Sequence, residues 1–529
     1  MSTDCLLGIH SVGHDASACI WNGQNLTWAQ ESERITRVKH DSNVFASLDN
    51  ALPRLVEQKF EVASSVPLKY SLFGAETAID QRDMVSPSNL LVNRQVSLNG
   101  QEVQCHFVAH EAAHAAVGLH YAGYRDRCLV LVNEGRGHFS RNSLFLFANG
   151  KFSLVEHDSL PWYACGFGWS AVASLLGYSR SPSIAGTLMA MSAYGHQSDR
   201  YHTLIESIPD AIMEPGSKAQ IEWQQRLSDT FIAFSFEEKA EFLNSLQRSF
   251  SEEILKYLQR MVERHNATTV ALSGGCALNI VANSYLRDGL NVPVVPAPIC
   301  NDAGQAIGAS ICTMLLRDGN SAEPFSIYMN GASLDRASDI EKLSLAGMKM
   351  SDATPEKIVE QLERGAVIAF MQGKAELGPR ALGHRSLIAS PQSPQMRKRV
   401  SETIKKREWF RPLAPVMRES AFRSTFPGFP TSPHMMFNFD IRELNAPACT
   451  HKDGTGRIQT LDPQENPVLD EVLRQFDQRT GVSCLINTSL NGPGKPICND
   501  ISDVLEDFGK ERAIDYVVYE DVLVEFSKH

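Results

Sequence analysis

Cys5-Leu-Leu-Gly-Ile-His10 runs directly into Ser11-Val-Gly-His14-Asp15-Ala-Ser17, and a second apolar stretch follows from Ala18 to Trp21. An apolar strand, a polar glycine turn and a returning strand form a β-hairpin. The design recurs at Cys128-Leu-Val-Leu-Val132, Asn133-Glu134-Gly-Arg-Gly137 and Ser143-Leu-Phe-Leu-Phe147. A third strand, Thr268-Thr-Val-Ala-Leu272, enters the turn Ser273-Gly274-Gly275-Cys-Ala-Leu-Asn279. The recurrence predicts a duplicated α/β unit with a nucleotide-sized cleft between its halves. Glycine turns let backbone N–H groups approach anionic oxygens closely, which makes Gly274 and Gly275 candidate nucleotide contacts.

Outward from these turns, Phe242, Leu246, Phe250, Ile254, Leu258 and Met261 recur at helical spacing. They predict a long helix over residues 237–264 with one buried face. Between Asp318 and Ser333 the pattern lapses into Gly, Asn, Ser and Pro, which places a domain boundary near 325/326. The expected division is 1–325 and 326–529. A second α/β region follows, with buried strands at Ala366 to Met371 and Val482 to Ile486.

At 529 residues the chain can bury two or three cores. Its formal net charge of −11 argues against a general nucleic-acid or membrane-surface binder. The first apolar run has no basic segment before it, unlike a signal peptide, and no stretch approaches the roughly 20 apolar residues of a membrane span. The 11 cysteines are scattered without a C-x-x-C pair, as in a reduced cytoplasmic protein.

His110-Glu-Ala-Ala-His114 lies in an alanine-rich stretch expected to be helical. Histidines four apart share a helix face and can bind one metal ion. Read literally this is the zinc-hydrolase pattern with Glu111 as general base, and His120 falls where a longer form of that pattern has its third ligand. The glycine required at position 117 is Val117, however, and Gly118 is one residue late. A packing or capping role for both histidines is the alternative. Glu134 and Asp302, the latter in Asn301-Asp-Ala-Gly304, are further candidate ligands, although Asp302 could instead cap a helix starting near Gln305.

The second half gathers basic residues at glycine and proline turns. These are Arg380 and Arg385 in Glu376-Leu-Gly-Pro-Arg380-Ala-Leu-Gly-His-Arg385, and Lys405-Lys-Arg407-Glu-Trp-Phe-Arg411. Thr455-Gly-Arg457 and Asn487-Thr-Ser489-Leu-Asn491-Gly-Pro-Gly-Lys495 follow. Arginine forks bind two phosphate oxygens at once and lysine adds a compact charge. In an acidic chain the grouping predicts one anionic small ligand, the alternative being a solvated basic face.

Taken together, these residues resemble the ATP-dependent O-carbamoyltransferases that decorate antibiotics and nodulation factors, over nearly the whole chain. Glu134-Gly135 and Ser273-Gly-Gly-Cys276 look like the branch acting on hydroxymethyl-cephems. The first half resembles the sugar-kinase/Hsp70/actin superfamily as used by the tRNA threonylcarbamoyl-transfer protein. The second resembles threonylcarbamoyl-AMP synthase, whose K-x-R and S-x-N motifs match Lys405-x-Arg407 and Ser489-x-Asn491.

The resemblance implies that the second domain makes carbamoyl-AMP from carbamoyl phosphate and ATP with Mg2+. Lys405, Arg407, Arg411, Ser489 and Asn491 would hold the anionic groups, with Arg380, Arg385, Thr455 and Arg457 contributing. It implies transfer in the first domain to a hydroxyl of a small natural product, beside a metal held by His110, His114, Asp302 and Glu134. Fe2+ is the expected ion, with Zn2+ or Mn2+ as alternatives, and His14 or Asp15 is the expected base. Relatives tend to have aspartate at Glu134 and lysine at Thr187, which puts the fourth ligand and one nucleotide or substrate contact in question. The rival readings are a threonylcarbamoyl-type tRNA-modifying enzyme, a nucleotide-binding sensor and a zinc peptidase.

Overall fold

The computed structural model describes residues 5–11, 14–55, 59–65, 85–98, 101–178, 184–208, 234–511 and 513–526, with isolated positions between 218 and 225. Val12 and Gly13 of the first glycine turn lie outside the described residues. The chain divides into two compact units, Met1–Ser32 with Asp41–Phe325, and Glu33–His40 with Ser326–His529.

The first unit contains the expected duplication. Strands β1 (Cys5–His10), β2 (Ser17–Asn22) and β3 (Asn25–Glu31) form an antiparallel meander, and β4 (Phe60–Ser64) and β6 (Gln101–Val108) extend it in parallel from β1. β5 (Leu91–Leu98) adds an antiparallel edge to β6. The second sheet repeats the plan. β7 (Cys128–Asn133), β8 (Asn142–Ala148) and β9 (Lys151–His157) form the meander, and β10 (Thr269–Ser273) and β11 (Val294–Pro296) run parallel from β7. β1 and β7, first in their repeats, are buried at every residue, as unbroken apolar runs in covered sheets should be.

Each repeat ends in a helix, His110–Tyr121 after β6 and Gln305–Thr313 after β11. The two pack at backbone distance. A Cβ added at Gly308 would lie 2.2 Å from the carbonyl oxygen of Ala113, and one at Gly118 would lie 2.7 Å from Val130 on β7. The glycine one residue late for a zinc-hydrolase pattern is thus the point where the helix touches the sheet. The long helix spans Phe236–His265, opened by a capping box between Ser235 and Glu238 and closed by Asn266 in the left-handed region. All six residues of its apolar stripe are buried.

The second unit is built on an eight-stranded mixed sheet. Its strands are β12 (Lys349–Asp352), β13 (Ile368–Met371), β14 (Arg385–Ala389), β15 (Ala414–Arg418), β18 (Gln459–Leu461), β19 (Cys484–Ser489), β20 (Tyr516–Tyr519) and β21 (Val522–Glu525), in the order β12-β21-β20-β13-β14-β19-β15-β18. β16 (Phe439–Asp440) and β17 (Thr455–Gly456) form a separate pair. Phe370, Phe422, Phe476 and Leu469 lie in its single apolar core. The short segment Glu33–His40 belongs to this unit. Arg34 donates to the carbonyls of Glu376 and Gly378, and Arg37 pairs with Asp503 at 3.2 Å and Asp507 at 2.8 Å.

Gly308→Ala should lower stability by about 1–3 kcal/mol, because the added carbon meets a main-chain oxygen that cannot rotate away. Urea unfolding of the full chain measures this, and an unchanged midpoint would contradict the helix contact.

Candidate metal centre and anion site

Four donor side chains arrive at the C-terminal ends of strands in the first unit. His110 and His114 project from the helix after β6, Glu134 follows β7, and Asp302 opens the turn before the helix that follows β11. Their ligating atoms lie within 4.8 Å of one another. Glu134 reaches both imidazoles, with Oε2 2.8 Å from His110 Nε2 and Oε1 2.5 Å from His114 Nε2. Asp302 Oδ1 lies 3.2 Å from His114 Nε2 and 3.7 Å from His110 Nε2. The extra methylene of glutamate therefore does not take the carboxylate out of the cluster.

All four residues are buried. Burial opposes the charged imidazoles, but the two carboxylates outweigh it, raising His110 and taking His114 up to about 10. Burial likewise opposes the carboxylates, and the imidazoles hold Glu134 and Asp302 below the ordinary range. Charges of this kind persist inside a protein only when paired or when they coordinate a metal. With bonds of about 2.0–2.2 Å, an ion needs donors no more than about 4.4 Å apart. The set fits a divalent ion after small side-chain shifts, and two imidazoles with two carboxylates suit Fe2+, Zn2+ or Mn2+ chemically.

The zinc-hydrolase reading fails on two residues. Glu111 Oε1 accepts the backbone N–H groups of Phe139 at 2.8 Å and Ser140 at 3.0 Å, so the carboxylate braces a loop. His120 stacks on Phe325 with ring centroids 4.6 Å apart and bonds Tyr124, outside the cluster.

His14 and Asp15 stand beside the cluster. Asp15 Oδ2 accepts from His14 Nδ1 at 3.0 Å and from Asn301 Nδ2 at 3.2 Å. The bond to Asp15 raises His14 to about 9 against the effect of burial. Gly274 has φ +81°, and a side chain there would strike the Asn133 backbone and the Glu134 side chain, so the glycine lets the turn after β10 approach the end of β7. A Cβ at Gly275 meets nothing within 4 Å. Thr187 is buried in the helix Ile184–Ser192.

In the second unit Lys405 is buried and its Nζ donates to the carbonyls of Ser489 at 2.7 Å and Asn491 at 2.8 Å, and to the Asn491 side chain. Arg407 donates to Thr488 at 3.2 Å and Ser489 at 3.4 Å. Arg380, Arg407, Arg411 and Arg457 lie near enough to act on one another. Burial first, then its arginine neighbours, lowers Arg407 to about 9 and pushes Arg457 well below its usual range. Among the described residues no carboxylate pairs with Arg407 or Arg457. A grouping of guanidiniums held against their own repulsion is suited to a multiply charged anion.

Two predicted contributors, Arg385 and Thr455, and Lys495 of the same basic grouping are engaged by other partners. Arg385 is fully buried and gives its guanidinium to the carbonyls of Asn499, Gln372, His384 and Gly373. Thr455 Oγ1 donates to Asp453 at 2.8 Å. Lys495 is neutralised by Glu506 and Asp507.

Two family models, described as the carbamoyltransferase N-terminus and the carbamoyltransferase C-terminus, match residues 88–311 and 359–525. A 3'-hydroxymethylcephem-O-carbamoyltransferase of Streptomyces clavuligerus is 32% identical over 521 residues, covering 93% of this chain and 94% of that one. The chain belongs to the carbamoyltransferase family. It is therefore a transferase enzyme. Nodulation protein NolNO of Sinorhizobium fredii is 28% identical, covering 94% of this chain and 76% of that protein. Among solved structures, component A of the Acidaminococcus fermentans (R)-2-hydroxyglutaryl-CoA dehydratase aligns with a TM-score of 0.34 at 15% identity, over 58% of this chain and 95% of that one. Among the described residues no helix is long and apolar enough to cross a membrane.

Sequence reasoning passed over His10 and Asn301. His10 was legible in principle, as the one imidazole in a strand buried throughout.

Glu134→Ala should strip metal from this carbamoyltransferase, whereas Glu111→Gln should leave the metal content near that of the parent. Elemental analysis after dialysis measures both, and metal loss on Glu111→Gln would return that residue to the site.

Proposed function

We propose that this carbamoyltransferase forms carbamoyl-AMP in its second unit and transfers the carbamoyl group to a small-molecule hydroxyl in its first. The single observation behind the division is that the chain holds two chemically opposite sites. Unit 1 gathers a buried acid–imidazole cluster, and unit 2 gathers guanidiniums around a buried lysine.

In the second unit, carbamoyl phosphate and water give carbamate and phosphate. Carbamate oxygen then attacks the α-phosphorus of ATP, releasing pyrophosphate with Mg2+. Arg380, Arg407, Arg411 and Arg457 neutralise the phosphate oxygens. Lys405, fixed by Ser489 and Asn491, sets the floor of the site.

In the first unit, His110, His114, Glu134 and Asp302 would hold a divalent ion, with Fe2+ the proposed metal and Zn2+ or Mn2+ the alternatives. When bound it supplies Lewis-acid polarisation of a carbonyl. The neutral form of His14, which grows as the pH rises toward about 9, is held by Asp15 and takes the proton of the acceptor hydroxyl as that oxygen attacks the carbamoyl carbon and AMP leaves. The similarity to a hydroxymethyl-cephem carbamoyltransferase and a nodulation protein supports an acceptor among antibiotics or other secondary metabolites. The acidic chain favours this over a tRNA acceptor.

Separate assays test the division. Arg407→Ala should reduce carbamoyl-AMP formation at least 100-fold, the order expected when a transition-state contact to charge is lost. His114→Ala should form carbamoyl-AMP at the parent's rate and carbamoylate no acceptor. Chromatography of quenched mixtures reads both products, and a block at the same step in both variants would overturn the assignment.

A further inference from the structure

Asp302 faces histidines with both of its oxygens. Oδ1 is turned to His110 and His114, while Oδ2 lies 3.6 Å from His14 Nδ1 and 3.9 Å from His10 Nε2. His14 Nδ1 is already bonded to Asp15. His10 differs. It ends β1, is fully buried, and its Nε2 has no hydrogen-bond partner among the described residues. Its other nitrogen, Nδ1, lies 2.9 Å from Ser65 Oγ, and Ser65 is also fully buried. This pairing is built into the sheet. β1 and β4 run parallel with Ile9 opposite Ser64, so His10 and Ser65 leave adjacent strand ends side by side.

A neutral imidazole carries a proton on one nitrogen only. When Ser65 donates its hydroxyl to Nδ1, the proton sits on Nε2, the nitrogen nearest Asp302. Closing the remaining gap to hydrogen-bond length takes a shift of about 1 Å. Carboxylates that ligate metals are themselves held by hydrogen bonds from the surrounding shell, which fixes how they bind.

We infer that His10 is a positioning residue of the metal centre: its Nε2–H donates to Asp302 Oδ2, reserving Oδ1 for the ion, with Ser65 fixing the tautomer. The inference rests on the proposed metal site. His10 touches neither substrate nor ion, and it acts through Asp302 alone.

Competition for Co(II) between the metal-free full chain and a chromophoric chelator tests this, alongside the melting temperature of each metal-free protein. The parent should bind one Co(II). His10→Ala should bind it about 10–100-fold more weakly, the usual effect of losing such a partner. His10→Gln, whose amide can still donate, should recover most of that loss. Ser65→Ala removes only a hydroxyl, and should weaken binding several-fold while leaving the metal-free melting temperature near the parent's. Parent-like Co(II) affinity in both His10→Ala and Ser65→Ala overturns the inference while leaving the metal site intact. Should His10→Ala fail to fold, parent-like affinity in Ser65→Ala alone overturns it. An equal loss in His10→Gln and His10→Ala overturns the donor role. A parent that takes up no Co(II) overturns the metal site itself.

Discussion

Glu134 and Asp302 are carboxylates buried in a protein interior, where an unpaired charge is costly enough that it neutralises or finds a partner. Their partners, His110 and His114, stand one turn apart on a helix that must lie close to β7 and to the helix carrying Asp302's turn. Gly118 and Gly308 allow those approaches because neither presents a Cβ. Duplication places the four donors. The helix ending the first repeat gives the histidines, and the turn ending the second gives Asp302. The turn after β7 gives Glu134, as the turn after its counterpart β1 gives His14 and Asp15. One repeated topology thus brings together groups as much as 192 residues apart in sequence, from His110 to Asp302.

The second unit solves the reverse problem. Arg407 and Arg457 are crowded by other guanidiniums, with Glu408 pairing Arg411 at 3.5 Å and offsetting only part of the repulsion at Arg407, and Lys405 is anchored by main-chain oxygens instead of an acid. Such an arrangement gains stability from a bound polyanion, since counter-charge relieves both burial and mutual repulsion.

Much of this was legible in the chain itself. Unbroken apolar runs announced β1 and β7, the 3–4 spacing of Phe242 to Met261 announced the long helix, and the i, i+4 histidines announced two members of the four-donor cluster. What escaped was side-chain direction. Arg385 stands in the same glycine-rich loop region as Arg380, yet begins strand β14, where its guanidinium meets four backbone carbonyls. Thr455 and Lys495 were likewise claimed by acids close in sequence, Asp453, Glu506 and Asp507. His10 looked like the last residue of a strand, because only the parallel pairing with β4 reveals Ser65 beside it. The eight residues Glu33–His40 carry no local mark of belonging to the second unit, since that depends on Arg37 finding Asp503 and Asp507 far along the chain.

The proposed division between two sites makes the reaction one of two steps, and the first would leave a product that needs no acceptor to be seen. The most direct measurement mixes the unmodified protein with ATP and Mg2+, with and without carbamoyl phosphate, and follows pyrophosphate. Release that depends on carbamoyl phosphate is the predicted result. Pyrophosphate release that carbamoyl phosphate does not raise, or no release at all, would contradict the account.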